Sequence, residues 1–177
     1  MHASHGDLTF SEYKDGFIGL RTHPHLRLTA NPGKGVEAVF GQAANSEGVE
    51  GKGVWGQRAN WIHYWGKVEG KDAGVAILSH PSNPRNPSWW HARDYGLIAV
   101  NPFGPKRSKG DGKLALPAGH SLTLRYRFLF HGKAGGLMDV AKRYMAYSEQ
   151  KLMPRTVVLP IPSGVLASSV ADKLIKN

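Results

Sequence analysis

Apolar and polar residues alternate most regularly over residues 121–131. Leu122, Leu124, Tyr126, Phe128 and Phe130 interleave with Thr123, Arg125, Arg127, Leu129 and His131. Successive side chains of a strand point to opposite faces, so this pattern predicts a strand with one buried face and one wetter face carrying two arginines. Residues 60–66 alternate as well, with Trp61, His63 and Trp65 on one side and Ile62 and Tyr64 on the other. Two unbroken apolar runs, VAIL at 75–78 and LIAV at 97–100, read as strands covered on both faces. Shorter strand candidates lie at 17–21, 26–29, 36–40 and 114–119. The period changes once: Leu137, Val140, Ala141, Tyr144 and Met145 share one face of a helix predicted over 137–151, preceded by Gly135 and Gly136 and closed before Pro154. Together these elements predict a mainly β fold, an antiparallel β-sandwich with one C-terminal helix.

The 22 glycines and 11 prolines fit the many tight turns that such a fold needs. A chain of 177 residues is long enough for one domain with its own core. Residues 1–153 read as that domain and 154–177 as a C-terminal tail. The tail is apolar at 157–161 but broken by Pro160 and Pro162, and 168–176 suits a short helix.

The densest chemistry lies between the two apolar runs. Residues 80–104 read HPSNPRNPSWWHARDYGLIAVNPFG. Pro81, Pro84, Pro87 and Pro102 exclude a regular helix over most of this stretch, because each lacks an N–H and restricts the residue before it. A proline-stiffened loop between core strands is a good mount for fixed polar groups. His80, Arg85, His91, Arg93 and Asn101 are the candidates for one shared polar cleft, with Trp89 or Trp90 as its apolar platform. His80 and His91 are the candidate catalytic acid/base groups, since imidazole titrates near neutral pH. Arg85, Trp89, Trp90, Arg93 and Asn101 are the candidate substrate-binding residues, the arginines for a carbonyl or carboxylate oxygen. The opposite reading is open at this point: the arginines serve Asp94 and loop carbonyls, and the tryptophans are core.

Residues 74–104 and the run LPAGHSLTLRYRFLFHG at 116–132 resemble the bacterial PmoA-like family, catalogued as methane oxygenase PmoA. NSEGVEGKGVWGQRANWIHYWG at 45–66 and KDGFIGLR at 14–21 are similar to it too. The resemblance covers about residues 7–150. It implies a β-sandwich of unestablished activity, found among bacteria rich in carbohydrate-processing genes, and it brings no catalytic residues with it. Because the family's domains extend further upstream, the chain resembles their C-terminal part. Strands that have lost neighbours in this way are expected to leave an apolar patch near the start of the chain, to bury it in a homo-oligomer, or to cover it with residues 157–161.

Charge and the remaining motifs narrow the function classes. The formal net charge is +10, but the basic residues are dispersed. The densest run, Lys106, Arg107 and Lys109, sits among glycines and reads as a solvated loop. No pattern for DNA or RNA recognition accompanies it, so no nucleic-acid partner is predicted. No apolar run reaches the roughly 20 residues of a membrane span, so no transmembrane segment is expected. The N-terminus MHASHGDLTF has no apolar signal core, so the compartment is left unknown, with a soluble cytoplasmic protein expected by default and an exported one if a signal lies upstream. Cysteine is absent, which removes thiolate chemistry. His23 and His25 form an H-x-H pair interrupted by Pro24 and lack a third ligand at a familiar spacing, so no metal site and no cofactor are predicted. Asp15 and Glu47 are weaker acid candidates in turns. The expected ligand is a small molecule or glycan, bound or modified as a sugar or sugar acid by the His/Arg/Trp cleft. A non-catalytic binding or assembly module is the alternative, and a metal-dependent oxygenase, suggested by the family name, ranks last.

Overall fold

The computed structural model describes residues 1–104, 112–132 and 137–150. Two four-stranded antiparallel sheets face each other, as the alternation predicts. The strands of the first are β3 (Gln42–Asn45), β5 (Trp61–Val68), β6 (Lys71–Ser79) and β10 (Tyr126–His131), in the order β10-β6-β5-β3. The second holds β2 (Ile18–Arg21), β4 (Arg58–Ala59), β7 (Ser88–Ala92) and β8 (Leu97–Asn101), in the order β2-β8-β7-β4. A two-stranded ribbon of β1 (Leu8–Phe10) and β9 (Leu114–Leu116) stands beside them.

The core between the sheets is built from the inward rows of both. Ile62, Tyr64, Val75 and Ile77 of the first sheet meet Trp90, Ala92, Ile98 and Val100 of the second. Each fully buried Ile or Val contributes roughly 1.5–3 kcal/mol from the apolar surface withdrawn from water. A second apolar cluster lies on the other side of the first sheet. There Trp61, Ala76 and Leu78 are covered by Val140 and Tyr147 of α1 (Leu137–Ser148), with Leu129 and Tyr144 alongside. The apolar runs at 75–78 and 97–100 thus have two covered faces for different reasons. In the first sheet the second cover is a helix. In the second sheet it is the polypeptide from Tyr13 to Phe17, described below.

Several local expectations give way to proline and to side-chain competition. Residues 26–29 form no strand: Pro24 opens a 3₁₀ turn, Pro24–Leu26, in which the His23 ring accepts the His25 N–H. Pro32 opens a second, Pro32–Lys34, so 36–40 form no strand either, apart from an isolated Asn31–Val36 bridge. The strand expected over 121–131 begins only at Tyr126. Just before it, the Asn83 side chain takes both the N–H and the C=O of Arg125, at 2.7 Å each, so a neighbouring loop rather than a strand satisfies that residue. The row of Arg127 and Leu129, expected to be the wetter one, is the row toward α1. The loop at 106–109 and the tail at 157–161 and 168–176 lie outside the described residues.

β2 and β10 are the edge strands on one side of the sandwich among the described residues. Phe17, Ile18 and Phe130 are exposed there, Phe130 to 75%. A cavity of about 520 Å³, lined by Leu20, Leu26, Val75 and Phe130 among others, opens between the two edges. No helix among the described residues is long and apolar enough to cross a membrane.

Candidate functional site

The outer face of the second sheet gathers most of the polar groups singled out by sequence. Trp90 and Ala92 of β7 point into the core, so Trp89, His91 and, past the strand end, Arg93 point outward. Asn101 lies directly across from Trp89, and Ala99 across from His91. Small residues at Ala99 and Gly19 leave this face hollow, and the Tyr13–Phe17 segment lies across it. A Cβ at Gly19 would stand 2.6 Å from the Ile98 carbonyl oxygen and 2.8 Å from the Ala99 Cβ. Gly16, at φ +92°, is in a conformation that favours glycine, and a Cβ there would sit 3.0 Å from Ala99 Cβ.

Asn101 fastens that segment in place. Its Nδ2 donates to the Tyr13 carbonyl at 2.6 Å, and its Oδ1 accepts the Phe103 N–H at 3.0 Å. Phe17 N–H adds a bond to the Val100 carbonyl at 2.8 Å. The segment brings Asp15 to His91, with Nε2 to Oδ1 3.7 Å. His91 is only 5% exposed. Burial pushes its pKa down, and Asp15 works against that shift. Asp15 is held below the usual carboxylate range by the Lys14 ammonium, which donates to it at 2.5 Å. The pair at neutral pH is therefore an ionised carboxylate beside a neutral imidazole, a combination able to accept a proton and stabilise the imidazolium that forms.

Arg93 stands at the mouth of this face. Its guanidinium lies 5.0 Å from the Trp55 ring and 5.3 Å from the Tyr95 ring. No hydrogen bond or ion pair joins that guanidinium to another described residue. Its backbone carbonyl accepts the Tyr64 hydroxyl at 3.3 Å, which ties the position to the core. The charge also contributes to keeping His91 neutral. Arg21 packs on the other aromatic of this group, 5.3 Å from the Tyr95 ring. Trp55 is 46% exposed and Tyr95 and Tyr13 are exposed as well. At the far end of the face Arg58 lies 5.7 Å over Trp89, but its own donors are taken by the carbonyls of Pro87 and Arg85.

The other candidates go elsewhere, so the residues do not share one cleft. Trp90 is 2% exposed and donates its indole N–H to the Ala59 carbonyl. Arg85, at φ +62°, spends its guanidinium on the carbonyls of Pro102, Gly112 and Lys113. His80 follows β6 on the α1 side, with its ring 5.0 Å from Tyr147 and its Nδ1 bonded to Ser82. Burial first, then the Arg125 charge, lowers its pKa. The two histidines thus serve opposite faces of the sandwich. Sequence reasoning weighed Asp15 but could not pair it with His91, and it missed Trp55 and Tyr95. The available signal was their location: both aromatics occur in glycine-bounded turns, where a core does not require them.

Among the described residues, no three or more His, Cys, Asp or Glu side chains gather in a way that could hold a metal ion. Comparison with curated proteins returns no match, and comparison with solved structures returns none. Residues 1–144 match the model of a family described as a family of unknown function, DUF6807. The chain, whose Asp15, His91, Arg93 and Asn101 all fall inside that match, belongs to this family.

Proposed function

We propose that the outer face of the second sheet binds a sugar acid, with Arg93 engaging the carboxylate and Trp55 and Tyr95 flanking the ring. One observation carries this reading. Arg93 is a cation held between two aromatic rings, with no anionic partner among the described residues, beside the buried His91 and the partly exposed Asp15 paired with it. Exposed aromatic rings stack on the apolar faces of sugars, while a guanidinium recognises a carboxylate in two-pronged fashion. His91 is the group we assign to proton transfer if the bound sugar is also modified. Asn101 and Gly16 act by positioning Asp15, and Trp89 with Arg58 forms a rigid flank. The resemblance to PmoA-like proteins rests on the same stretch of sequence, and we read it as kinship in a sugar-associated role rather than in metal-dependent oxygenation.

Calorimetric titration of the protein with glucuronate and with glucose tests the reading. Glucuronate is expected to bind and glucose to bind far more weakly. Arg93→Ala is expected to weaken glucuronate by about 1.5–3 kcal/mol, the usual worth of a charge-assisted hydrogen bond. The Tyr64 contact is to the Arg93 backbone, so the substitution leaves that anchor in place. Equal affinity for the two sugars, or unchanged affinity after Arg93→Ala, would refute the assignment.

A further inference from the structure

Resting on that reading, we infer that the ligand is at least a disaccharide, whose second ring is uncharged and lies in a groove adjoining Arg93. The groove has a volume of about 430 Å³ and is lined by Leu28, Gln42, Glu50, Gly51, Lys52 and Trp65, with small residues completing it. That size and that mixture of one aromatic with a few polar groups suit a small ligand rich in hydroxyls.

Short links of chain join the groove lining to the arginine. The 3₁₀ turn Gly51–Val54 lines the groove with its first two residues, and the residue that follows it is Trp55, the ring beside Arg93. Lys52 Nζ lies 3.8 Å from Asp94, which stands between Arg93 and Tyr95 in the chain. On the other side, the Leu28 N–H donates to the Asp94 carbonyl at 2.8 Å and Thr29 donates to its carboxylate at 3.1 Å. Three segments, 28–29, 51–55 and 93–95, are thus bonded to one another and join the groove lining to Arg93 and its two rings. The Lys52–Asp94 pair is one of these links.

The charge of the second ring follows from the lining. Lys52 is matched by Asp94, while the exposed Glu50 has no ion-pair partner among the described residues. A carboxylate in the groove would face Glu50, and an uncharged sugar would hydrogen-bond to it. The inferred ligand class is therefore an aldobiouronic unit, a hexuronate joined to a neutral sugar.

Three probes separate the outcomes in calorimetric titration: glucuronate, an aldobiouronic disaccharide and a dihexuronate. The aldobiouronic unit is expected to bind roughly tenfold or more tightly than glucuronate, a gain of at least about 1.4 kcal/mol. Trp65→Ala is expected to abolish that gain and leave glucuronate unchanged. Because Trp65 also stacks on His63, Gln42→Ala at an exposed position is the second groove variant and is expected to reduce the gain. Arg93→Ala is expected to weaken both ligands together. Equal binding of glucuronate and the aldobiouronic unit would overturn the inference while leaving the sugar-acid site standing. So would a gain that survives both groove substitutions. A dihexuronate that gains as much as the aldobiouronic unit would overturn the uncharged ring. Binding of glucuronate and the aldobiouronic unit that is unchanged in Arg93→Ala would overturn the parent reading and this one with it.

Discussion

Replacing Trp90 by phenylalanine separates the core role of this residue from the site role of its neighbour. Trp90 is buried between the sheets and donates its indole N–H to the Ala59 carbonyl at 2.9 Å, and Ala59 itself has no exposed surface. Phenylalanine cannot make that bond, so a buried carbonyl loses its partner, at a cost of about 1–3 kcal/mol. The smaller ring also leaves roughly 40 Å³ unfilled, which adds about 1 kcal/mol at 24 cal/mol per Å³. The expected loss is therefore about 2–4 kcal/mol. Urea unfolding followed by tryptophan fluorescence and circular dichroism reads it as a lower midpoint with an unchanged slope. With a slope of about 2 kcal/mol per molar, the midpoint falls by roughly 1–2 M. The companion Trp89→Phe acts on a partly exposed ring beside Arg58 and is expected to cost under about 1 kcal/mol. A Trp90→Phe protein within about 0.5 kcal/mol of the parent would refute the packing argument. It would also reopen Trp90 as a residue of the binding face.

Other consequences can be checked independently. Asn83→Leu removes bonds to Ser79 Oγ, the Arg125 carbonyl and the Arg125 N–H, and should destabilise by about 2–4 kcal/mol in the same assay; a change under about 0.5 kcal/mol would contradict the role of Asn83 as the tie between loop and β10. His63 is lowered from 6.5 to about 4, first by burial and then by the His131 ring whose Nε2 lies 2.8 Å away. The unfolded chain takes up that proton first, so stability is whole above about pH 6.5 and falls as pH drops towards 4, by about 3 kcal/mol at most. His63→Leu should flatten the slope of unfolding midpoint against pH in that window, and an unaltered slope would show that another group controls it. Gly16→Ala strains a residue at φ +92° that already abuts Ala99, at a cost of about 1–3 kcal/mol, and displaces Asp15. Since Asp15 opposes the burial of His91, the His91 pKa in an NMR titration should move further down; an unmoved value would mean that Asp15 does not depend on this glycine.

Sequence pattern carried the sandwich because its inner strands are strongly apolar. The runs in β6 and β8 and the Ile62–Tyr64 row of β5 are read correctly by period alone. Strand β3, QAAN, has no such signal. It pairs with β5 because the small side chains of Ala43 and Ala44 fit against Tyr64 and His63, which is a tertiary cause. The expected strands at 26–29 and 36–40 were lost to Pro24 and Pro32, whose fixed φ favours a tight turn. Alternation before Tyr126 misled for a different reason: the Asn83 amide takes the place of a neighbouring strand. In the site, His91 and Arg93 were legible as polar candidates by residue type, but the strand β7 that turns His91 outward was not, because the prolines before it read as loop. Their separation from His80 was not, because β6 and β7 follow one another in the chain yet belong to different sheets. The Asp15–His91 pairing depends on how Asn101 holds the Tyr13 carbonyl, a contact between residues far apart in sequence.

The central claim is that a sugar acid docks at Arg93 between Trp55 and Tyr95. The chain has five tryptophans, each with an indole N–H that gives its own NMR signal. Titrating labelled protein with glucuronate should shift the Trp55 signal progressively and saturably. The buried Trp61 and Trp90 signals should stay in place, and the Trp55 shift should vanish in Arg93→Ala. A Trp55 signal that ignores glucuronate, or one that responds equally with Arg93 removed, would contradict the account.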